Sequence, residues 1–214
     1  MDESTRISNL LQIESMLYQE GYNLIAGVDE AGRGPLAGPV VAAACILPRK
    51  IDLPGLNDSK KLTQKKREEL FSKIKEQALA YSIGSASPEE IDQLNILQAT
   101  KLAMKRALAK LTLSPDYVLI DGRDELAISI PQKAVIDGDA LSASIAAASI
   151  LAKVTRDEFM CKMHKLYPEY SFDLHKGYPT RLHLEALKKF GPCPLHRRSF
   201  SPLKEKATAS GELG

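Results

Sequence analysis

The chain has 214 residues, of which 44% are hydrophobic and 26% are charged, with 29 Lys and Arg against 27 Asp and Glu. This length suits one globular domain, and the balance of apolar and charged residues excludes a wholly disordered chain. The longest nearly apolar run, Val40 to Leu47, is far shorter than the roughly 20 residues that span a bilayer, so we expect no membrane association.

The first predicted element is an amphipathic segment at residues 1–20, whose apolar side chains recur at near-helical spacing and are expected to cover the domain. Two strands follow, Tyr22 to Val28 and Val40 to Leu47, and the Gly- and Pro-rich turn between them favours a hairpin. A helix is predicted over 63–80 and a third strand over 81–86.

The next helix has a clear start, because Ser87 is followed by Pro and then by Glu90 three residues after the cap. A break is expected near Asn95. Further elements are predicted as strands over 117–120 and 134–136 and as helices over 140–154 and 180–190. Hairpin strands followed by alternating strands and helices indicate an α/β protein, with a mixed sheet between helices.

These elements divide the chain into three predicted parts. Residues 1–20 form the covering segment, residues 21–202 form the main domain, and residues 203–214 form a flexible tail. The N-terminus lacks the pattern of a signal peptide. Three widely spaced cysteines predict reduced thiols, so the expected location is the cytoplasm.

Carboxylates follow three of the predicted strands: Asp29 with Glu30, Asp121, and Asp139. Strand ends are where open α/β sheets bind ligands. Carboxylates that meet there raise one another's pKa unless a cation compensates for their charge, and an all-oxygen ligand set favours Mg²⁺ or Mn²⁺. Two such ions can activate a water and stabilise the leaving oxygen of a phosphodiester.

Each carboxylate also has a simpler interpretation. Asp139 precedes a helix and can be its N-cap, and Asp121 with Gly122 can be an ordinary turn. Asp29 and Glu30 are harder to explain this way, because two adjacent carboxylates fit poorly in a buried strand. Neighbouring strand residues point to opposite faces, so both can meet one metal pair only where the strand ends.

The charge distribution indicates a class of ligand, and the glycine spacing argues against one class of enzyme. From Lys153 to Lys206 there are twelve Lys and Arg against six Asp and Glu, which suits a polyanionic ligand, although a solvated helix face is the alternative. The glycines at 32, 34 and 38 have GxGxxxG spacing and are followed by Pro, so a dinucleotide-binding oxidoreductase is disfavoured.

Several segments together resemble the bacterial ribonuclease HII family of type 2 ribonucleases H. They occur in the family's order and are GVDEAGRGPLAGPV at 27–40, NDSKKL at 57–62, DG at 121–122, GDA at 138–140, SILAKVTRD at 149–157, HKGYPT at 175–180 and HRRSF at 196–200. The resemblance implies a ribonuclease H-like fold, in which helices flank a five-stranded mixed sheet and a helical extension follows at the C-terminus.

The resemblance also implies an activity. The expected enzyme is a divalent-metal-dependent endonuclease that cleaves the RNA strand of RNA/DNA hybrids and incises 5′ of single ribonucleotides in duplex DNA, leaving 3′-hydroxyl and 5′-phosphate ends. It is expected to act as a monomer, with Asp29, Glu30, Asp121 and Asp139 as the catalytic and metal-binding set.

The substrate contacts are carried over by position. The Gly32-Arg33-Gly34 motif is expected to sense the ribonucleotide 2′-hydroxyl, and Tyr178 to pack against the sugar at the RNA-to-DNA junction. Tyr178 can instead be a core aromatic. Lys60 and Lys176 are expected at phosphates or otherwise in solvent, and Ser142 and Lys153 are further expected contacts.

Two departures from the family pattern are visible, Asp137 in place of a basic residue and Ser171 in place of a glycine.

Two alternative functions that also involve nucleic acids remain. A type III ribonuclease H usually has a large N-terminal substrate-binding domain, whereas only about two dozen residues precede the strand that leads to Asp29 here. A nucleic-acid-binding module without activity is expected to have lost a carboxylate.

Overall fold

The structure is a computed structural model that describes residues 3–57 and 59–204. Within these residues the strands are β1 (Ile25–Ala31), β2 (Val40–Ile46), β3 (Ala80–Ala86), β4 (Tyr117–Asp121) and β5 (Gln132–Val135). They form one mixed five-stranded sheet in the order β3-β2-β1-β4-β5. Strand β2 pairs antiparallel with β1 and with β3, whereas β4 pairs parallel with β1 and with β5. This arrangement confirms the predicted mixed sheet.

Helices cover both faces of this sheet. They are α1 (Glu3–Leu10), α2 (Gln12–Gln19), α3 (Gln64–Gln77), α4 (Pro88–Leu94), α5 (Ile96–Ala109), α6 (Gly138–Leu141), α7 (Ala143–Leu166), α8 (Phe172–His175) and α9 (Arg181–Phe190). In β2, Ala42 and Ala44 face the core built with α5, whereas Ala43 and Cys45 face the core built with α3 and α7. Because both faces are buried, the β2 sequence is apolar throughout rather than alternating. In the part of the chain that the structure describes, none of the helices is long and apolar enough to cross a membrane.

Two local predictions in the α4–α5 region are confirmed. Ser87 caps α4 in a capping box: its hydroxyl accepts from the Glu90 N–H at 3.2 Å, and Glu90 accepts from the Ser87 N–H at 2.9 Å. The expected break falls at Asn95, which has φ 68° and whose side chain caps α5 by accepting from the N–H groups of Leu97 and Gln98.

The long helix α7 differs from its prediction. It runs from Ala143 to Leu166, well beyond the predicted 140–154, and α6 is separate from it. The separation lies at Ser142, whose extended backbone places its hydroxyl to accept from the Ile145 N–H and so cap α7. At Gly27 in β1 a Cβ atom would lie 2.1 Å from the main-chain carbon of Ser144, so only glycine allows α7 to pack this closely on the sheet.

The first strand also differs from its prediction. The expected strand over 22–28 would have placed Asp29 and Glu30 after its end, yet β1 continues to Ala31 because it stays paired with β2 up to Val41. Its parallel pairing with β4 ends earlier, at Val28 opposite Ile120. The two carboxylates therefore lie on a strand that is paired on one side only.

The two ends of the described chain pack against the sheet domain. Leu10 of α1 and Leu17 of α2 are buried, in keeping with a covering segment, which consists of two short helices. Leu203, which the sequence analysis assigned to the tail, is buried against Leu36 and the aromatic residues of the C-terminal helices. The predicted tail therefore does not begin at residue 203, and its remaining residues from 205 onwards lie outside the described residues.

Candidate active site

A cavity of about 200 Å³ opens where β1 loses its pairing with β4. It lies between β1, the end of β4, the long helix α7 and the loops that follow β1 and α8. Its lining residues are Asp29, Glu30, Ala31, Gly32, Arg33, Gly34, Ser59, Lys60, Asp121, Ser149, Lys153 and Tyr178. The structure thus brings together most of the side chains that the sequence analysis selected from distant segments.

Asp29 and Glu30 are held at this cavity in an environment that opposes their charge. Burial raises the pKa of Asp29 well above its usual range, and the neighbouring Glu30 and Asp121 raise it further. A hydrogen bond from the Ser149 hydroxyl and one from the Glu30 N–H at 2.6 Å lower the pKa of Asp29 without cancelling the rise. Burial also raises the pKa of Glu30, against the Arg33 guanidinium 3.4 Å away.

Asp121 and Asp139 are linked through the turn that precedes α7. Asp121 ends β4, and its Oδ1 accepts from the Gly138 N–H at 2.7 Å. Asp139 is buried in the first turn of α6, where Asp137 and not Asp139 holds the N-cap position, so the N-cap interpretation of Asp139 is wrong. The Oδ2 of Asp139 lies 3.5 Å from the Lys60 Nζ, which connects it to the cavity.

The carboxylates fit a hard divalent cation by their donor chemistry and their charge. Among the residues that the structure describes, no group of three or more His, Cys, Asp or Glu side chains has the arrangement of a ready-made metal site. The fit therefore rests on the oxygen-only donor set and on the buried negative charge that raises the pKa of Asp29 and Glu30, which a cation would relieve.

The loop after β1 depends on two buried arginines that the sequence analysis did not select. Gly32 has φ 96°, and a Cβ there would lie 2.0 Å from the Arg156 Nε. Arg197 donates from Nη2 to the Gly32 carbonyl at 2.5 Å and from Nη1 to the Arg33 carbonyl at 2.9 Å. Both arginines belong to segments that carried the family resemblance, but their spacing in sequence gives no sign of this contact.

Tyr178 borders the same loop and is partly exposed. The residue is 41% exposed, so the core-aromatic interpretation is wrong. A Cβ built on Gly34 would lie 3.6 Å from the Tyr178 Cε1, and the Arg156 guanidinium carbon is 6.0 Å from the ring centre. An exposed aromatic face beside a glycine-rich turn is available for a flat or sugar-like group.

The remaining predicted contacts divide into two groups. Lys60 and Lys153 line the cavity, and the Lys153 Nζ pairs with Asp157 at 2.8 Å. Ser142 does not face it: it is fully buried, and its hydroxyl donates to Glu14 at 2.6 Å. Lys176 lines a different cavity of about 270 Å³ beside α3 and α7, and its Nζ donates to the Asp173 carbonyl.

The two departures from the family pattern have clear structural settings. Asp137 is exposed, has φ 53°, and is not among the residues that line the carboxylate cavity. Ser171 also has φ 53°, a left-handed conformation that glycine adopts at little cost, which explains why glycine is favoured at this position.

Comparison with known proteins identifies the family. The family model described as Ribonuclease HII matches residues 26–203. The chain belongs to the ribonuclease HII family. A family member, the ribonuclease HII of Desulfitobacterium hafniense (strain DSM 10664 / DCB-2), is 64% identical over 204 residues, which cover 95% of this chain and 78% of that protein. The chain is therefore a ribonuclease H, and the interpretations as an inactive binding module or an oxidoreductase are wrong.

Solved structures agree with this family. The crystal structure of the ribonuclease H2 from Pyrococcus horikoshii OT3 has a TM-score of 0.72 and 31% identity, covering 88% of this chain and 99% of that one. The crystal structure of Bst-RNase HIII in complex with Mn²⁺ has a TM-score of 0.71 and covers 92% of this chain and 73% of that one, but at 20% identity it shows likeness of fold alone.

Proposed function

We propose that this ribonuclease H hydrolyses the RNA strand of RNA/DNA hybrids and also incises 5′ of a single ribonucleotide embedded in duplex DNA, leaving 3′-hydroxyl and 5′-phosphate ends. One observation carries the proposal: the glycine-rich loop at 32–34, Tyr178 and three of the carboxylates, Asp29, Glu30 and Asp121, line the same cavity. A site that can read a single ribose therefore lies beside groups suited to phosphodiester hydrolysis. The 2′-hydroxyl is the group by which a protein distinguishes RNA from DNA.

Divalent cations belong to this proposal. Asp29, Glu30, Asp121 and Asp139 would hold Mg²⁺ or Mn²⁺, because a ligand set made only of oxygen atoms favours ions of this class. A pair of such ions, when bound, supplies a water activated for attack and stabilises the leaving oxygen, so no side-chain nucleophile is required. We include Asp139 among the four proposed ligands because two contacts connect it to the cavity. Its neighbour Gly138 donates to Asp121, and its own carboxylate pairs with Lys60. Asp121 and Lys60 both line the cavity.

Three residues at the cavity are suited to contact the nucleic-acid substrate. Arg33 is half-exposed and close to Glu30, so its guanidinium is available to a sugar-phosphate backbone. Lys60 is largely exposed beside Asp139, where its ammonium can contact a phosphate. The exposed face of Tyr178 is suited to stack on the sugar at the junction, where the chain changes from RNA to DNA.

We further propose that the enzyme works as a monomer in the cytoplasm. The cysteines in the described residues, Cys45, Cys161 and Cys193, are all free thiols, which agrees with a reducing compartment. Light scattering of the purified protein tests the oligomeric state, and a mass near twice 23.5 kDa would contradict the monomer.

A cleavage assay on two substrates tests the activity. A duplex with one ribonucleotide and a continuous RNA/DNA hybrid are each incubated with Mg²⁺, with Mn²⁺ and with EDTA. We expect both to be cut with metal and neither with EDTA, and we expect products with 3′-hydroxyl ends. Replacing Asp121 or Asp139 by Asn should abolish cutting and preserve the fold. An uncut single-ribonucleotide duplex together with a cut hybrid would restrict the function to hybrids, as in the type III alternative.

A further inference from the structure

The C-terminal helices contain a buried histidine pair outside the carboxylate cavity. The Nε2 atoms of His183 and His196 lie 3.0 Å apart, and both side chains are almost fully buried. His175 stacks on His183 with ring centres 4.5 Å apart, and Phe172 packs its edge against His183. None of these histidines lines the carboxylate cavity.

The hydrogen-bond directions in this pair follow from its two ends. At one end the Cys193 N–H, which can only donate, lies 3.0 Å from the His196 Nδ1. At the other end the Tyr178 carbonyl, which can only accept, lies 2.9 Å from the His183 Nδ1. The Cys193 carbonyl also lies 3.3 Å from the His196 Nδ1, so the Tyr178 end decides the direction. The neutral His183 carries its proton on Nδ1 and accepts at Nε2, and the neutral His196 donates to it from Nε2. We call this series, Cys193 to His196 to His183 to Tyr178, the histidine relay.

The relay requires both rings to be neutral, and their surroundings favour that state. Burial lowers the pKa of His183 and of His196 to about 4 each. The groups packed around them are His175, Tyr170, Phe172 and Cys193, and a second charged histidine nearby would repel the first. A proton added to either ring would put two N–H donors face to face.

The relay ends at the main-chain carbonyl of Tyr178, and its last hydrogen bond helps to hold the Tyr178 backbone in place. The Tyr178 N–H donates to the His175 carbonyl at 2.9 Å, and the Tyr178 carbonyl accepts from the Thr180 N–H at 2.8 Å in addition to His183. Tyr178 as a whole residue is 41% exposed, and it lines the cavity. Because the ring is attached to this backbone, a shift of the Tyr178 main chain would also move the ring at the cavity.

We propose that His183 and His196 are positioning residues that hold Tyr178 where its ring meets the sugar at the RNA-to-DNA junction. This rests on the role proposed above for Tyr178. The relay then governs how efficiently the enzyme cuts at a single ribonucleotide relative to a continuous hybrid, because only the former places a junction at the ring.

The test compares two variants of His196 of similar size. Gln keeps an N–H donor near the position of Nε2, whereas Met removes it. We expect H196M to lower the ratio of single-ribonucleotide to hybrid cleavage by about tenfold, as for the loss of a buried hydrogen bond, and H196Q to retain the ratio within about threefold. The Y178A/H196M double variant should have the same ratio as Y178A alone, because the relay acts through that residue.

The outcomes separate the relay from the proposed function. If Y178A lowers the ratio but H196M leaves it unchanged, or slows both substrates equally, the relay does not position the ring and the inference is wrong. If Y178A itself leaves the ratio unchanged, the role proposed for Tyr178 fails, and the inference fails with it. Should H196M not fold, H183L carries the same comparison, with H183N as the variant that keeps a donor toward the Tyr178 carbonyl.

Discussion

The carboxylate cavity and the histidine relay both bury titratable groups, yet they resolve the cost of burial in opposite ways. At the cavity, burial and mutual repulsion raise the pKa of Asp29, and hydrogen bonds from within the chain do not cancel the rise. In the relay, burial lowers the pKa of both histidines, and neutral rings satisfy one another. A buried charge that the chain does not compensate indicates a site for an external cation. A buried network whose hydrogen-bonding groups are all paired indicates instead a structural role.

The largest expected effect comes from removing charge at the cavity. Asp29→Asn should reduce cleavage of both substrates by about a thousandfold or more, because a carboxylate of the proposed metal-binding set is lost. The same change should raise the thermal midpoint, because it removes a buried charge next to Glu30 and Asp121. Initial rates and thermal unfolding measure the two effects.

Asp137→Asn is the matched control for that change. Asp137 is exposed and is not one of the four proposed metal ligands, so its neutral variant should keep activity within about twofold. Equal activity losses in the two variants would remove the distinction between the cavity and its surroundings.

The histidines predict a loss of stability in acid. In the unfolded chain a histidine binds its proton near pH 6.5, whereas His183 and His196 bind theirs at about 4 in the folded protein. Between these values the unfolded state holds more protons, so the free energy of unfolding is highest above pH 6.5 and falls as the pH drops toward 4. The full shift corresponds to at most about 3–4 kcal/mol for each histidine.

Urea unfolding between pH 7 and pH 4 measures this dependence. His196→Gln removes one of the two groups and should make the fall with decreasing pH shallower than in the unsubstituted protein. A pH dependence that is equally steep in both proteins would show that these histidines are not the groups responsible.

Cation binding should stabilise the folded protein independently of catalysis. A ligand that binds only the folded state adds about 2.7 kcal/mol at one hundred times its dissociation constant, so Mg²⁺ or Mn²⁺ should raise the thermal midpoint. Asp29→Asn should abolish most of that increase, while Asp137→Asn should keep it. A midpoint unaffected by either ion would contradict the metal-binding role of the cavity.

The smallest effect is expected at Ser171, where the backbone is left-handed. Ser171→Gly should stabilise the protein by about 1 kcal/mol, because glycine adopts this conformation at little cost. The matched change Ser72→Gly, at an exposed position inside α3, should instead destabilise it by about 0.5 kcal/mol. Chemical denaturation of both variants checks the opposite signs.

Local features of the structure could be predicted because their signals lie within a few residues. The capping box at Ser87 and Glu90 and the break at Asn95 depend on neighbouring side chains. The buried strand β2 was recognisable from its apolar run. The family motifs further placed most of the residues that line the cavity, including Arg33 and Tyr178, far apart in sequence but on one site.

Tertiary structure decided the rest, because the deciding contacts join residues far apart along the chain. Arg197 donates to the Gly32 carbonyl, which lies 165 positions earlier in the sequence. The buried Ser142 hydroxyl donates to Glu14, which lies 128 positions earlier. Lys176 shares a motif with Tyr178 yet faces another cavity. A sequence shows which groups are present and what they prefer locally. Which of them become buried together, and with what change in pKa, depends on packing that only the folded chain creates.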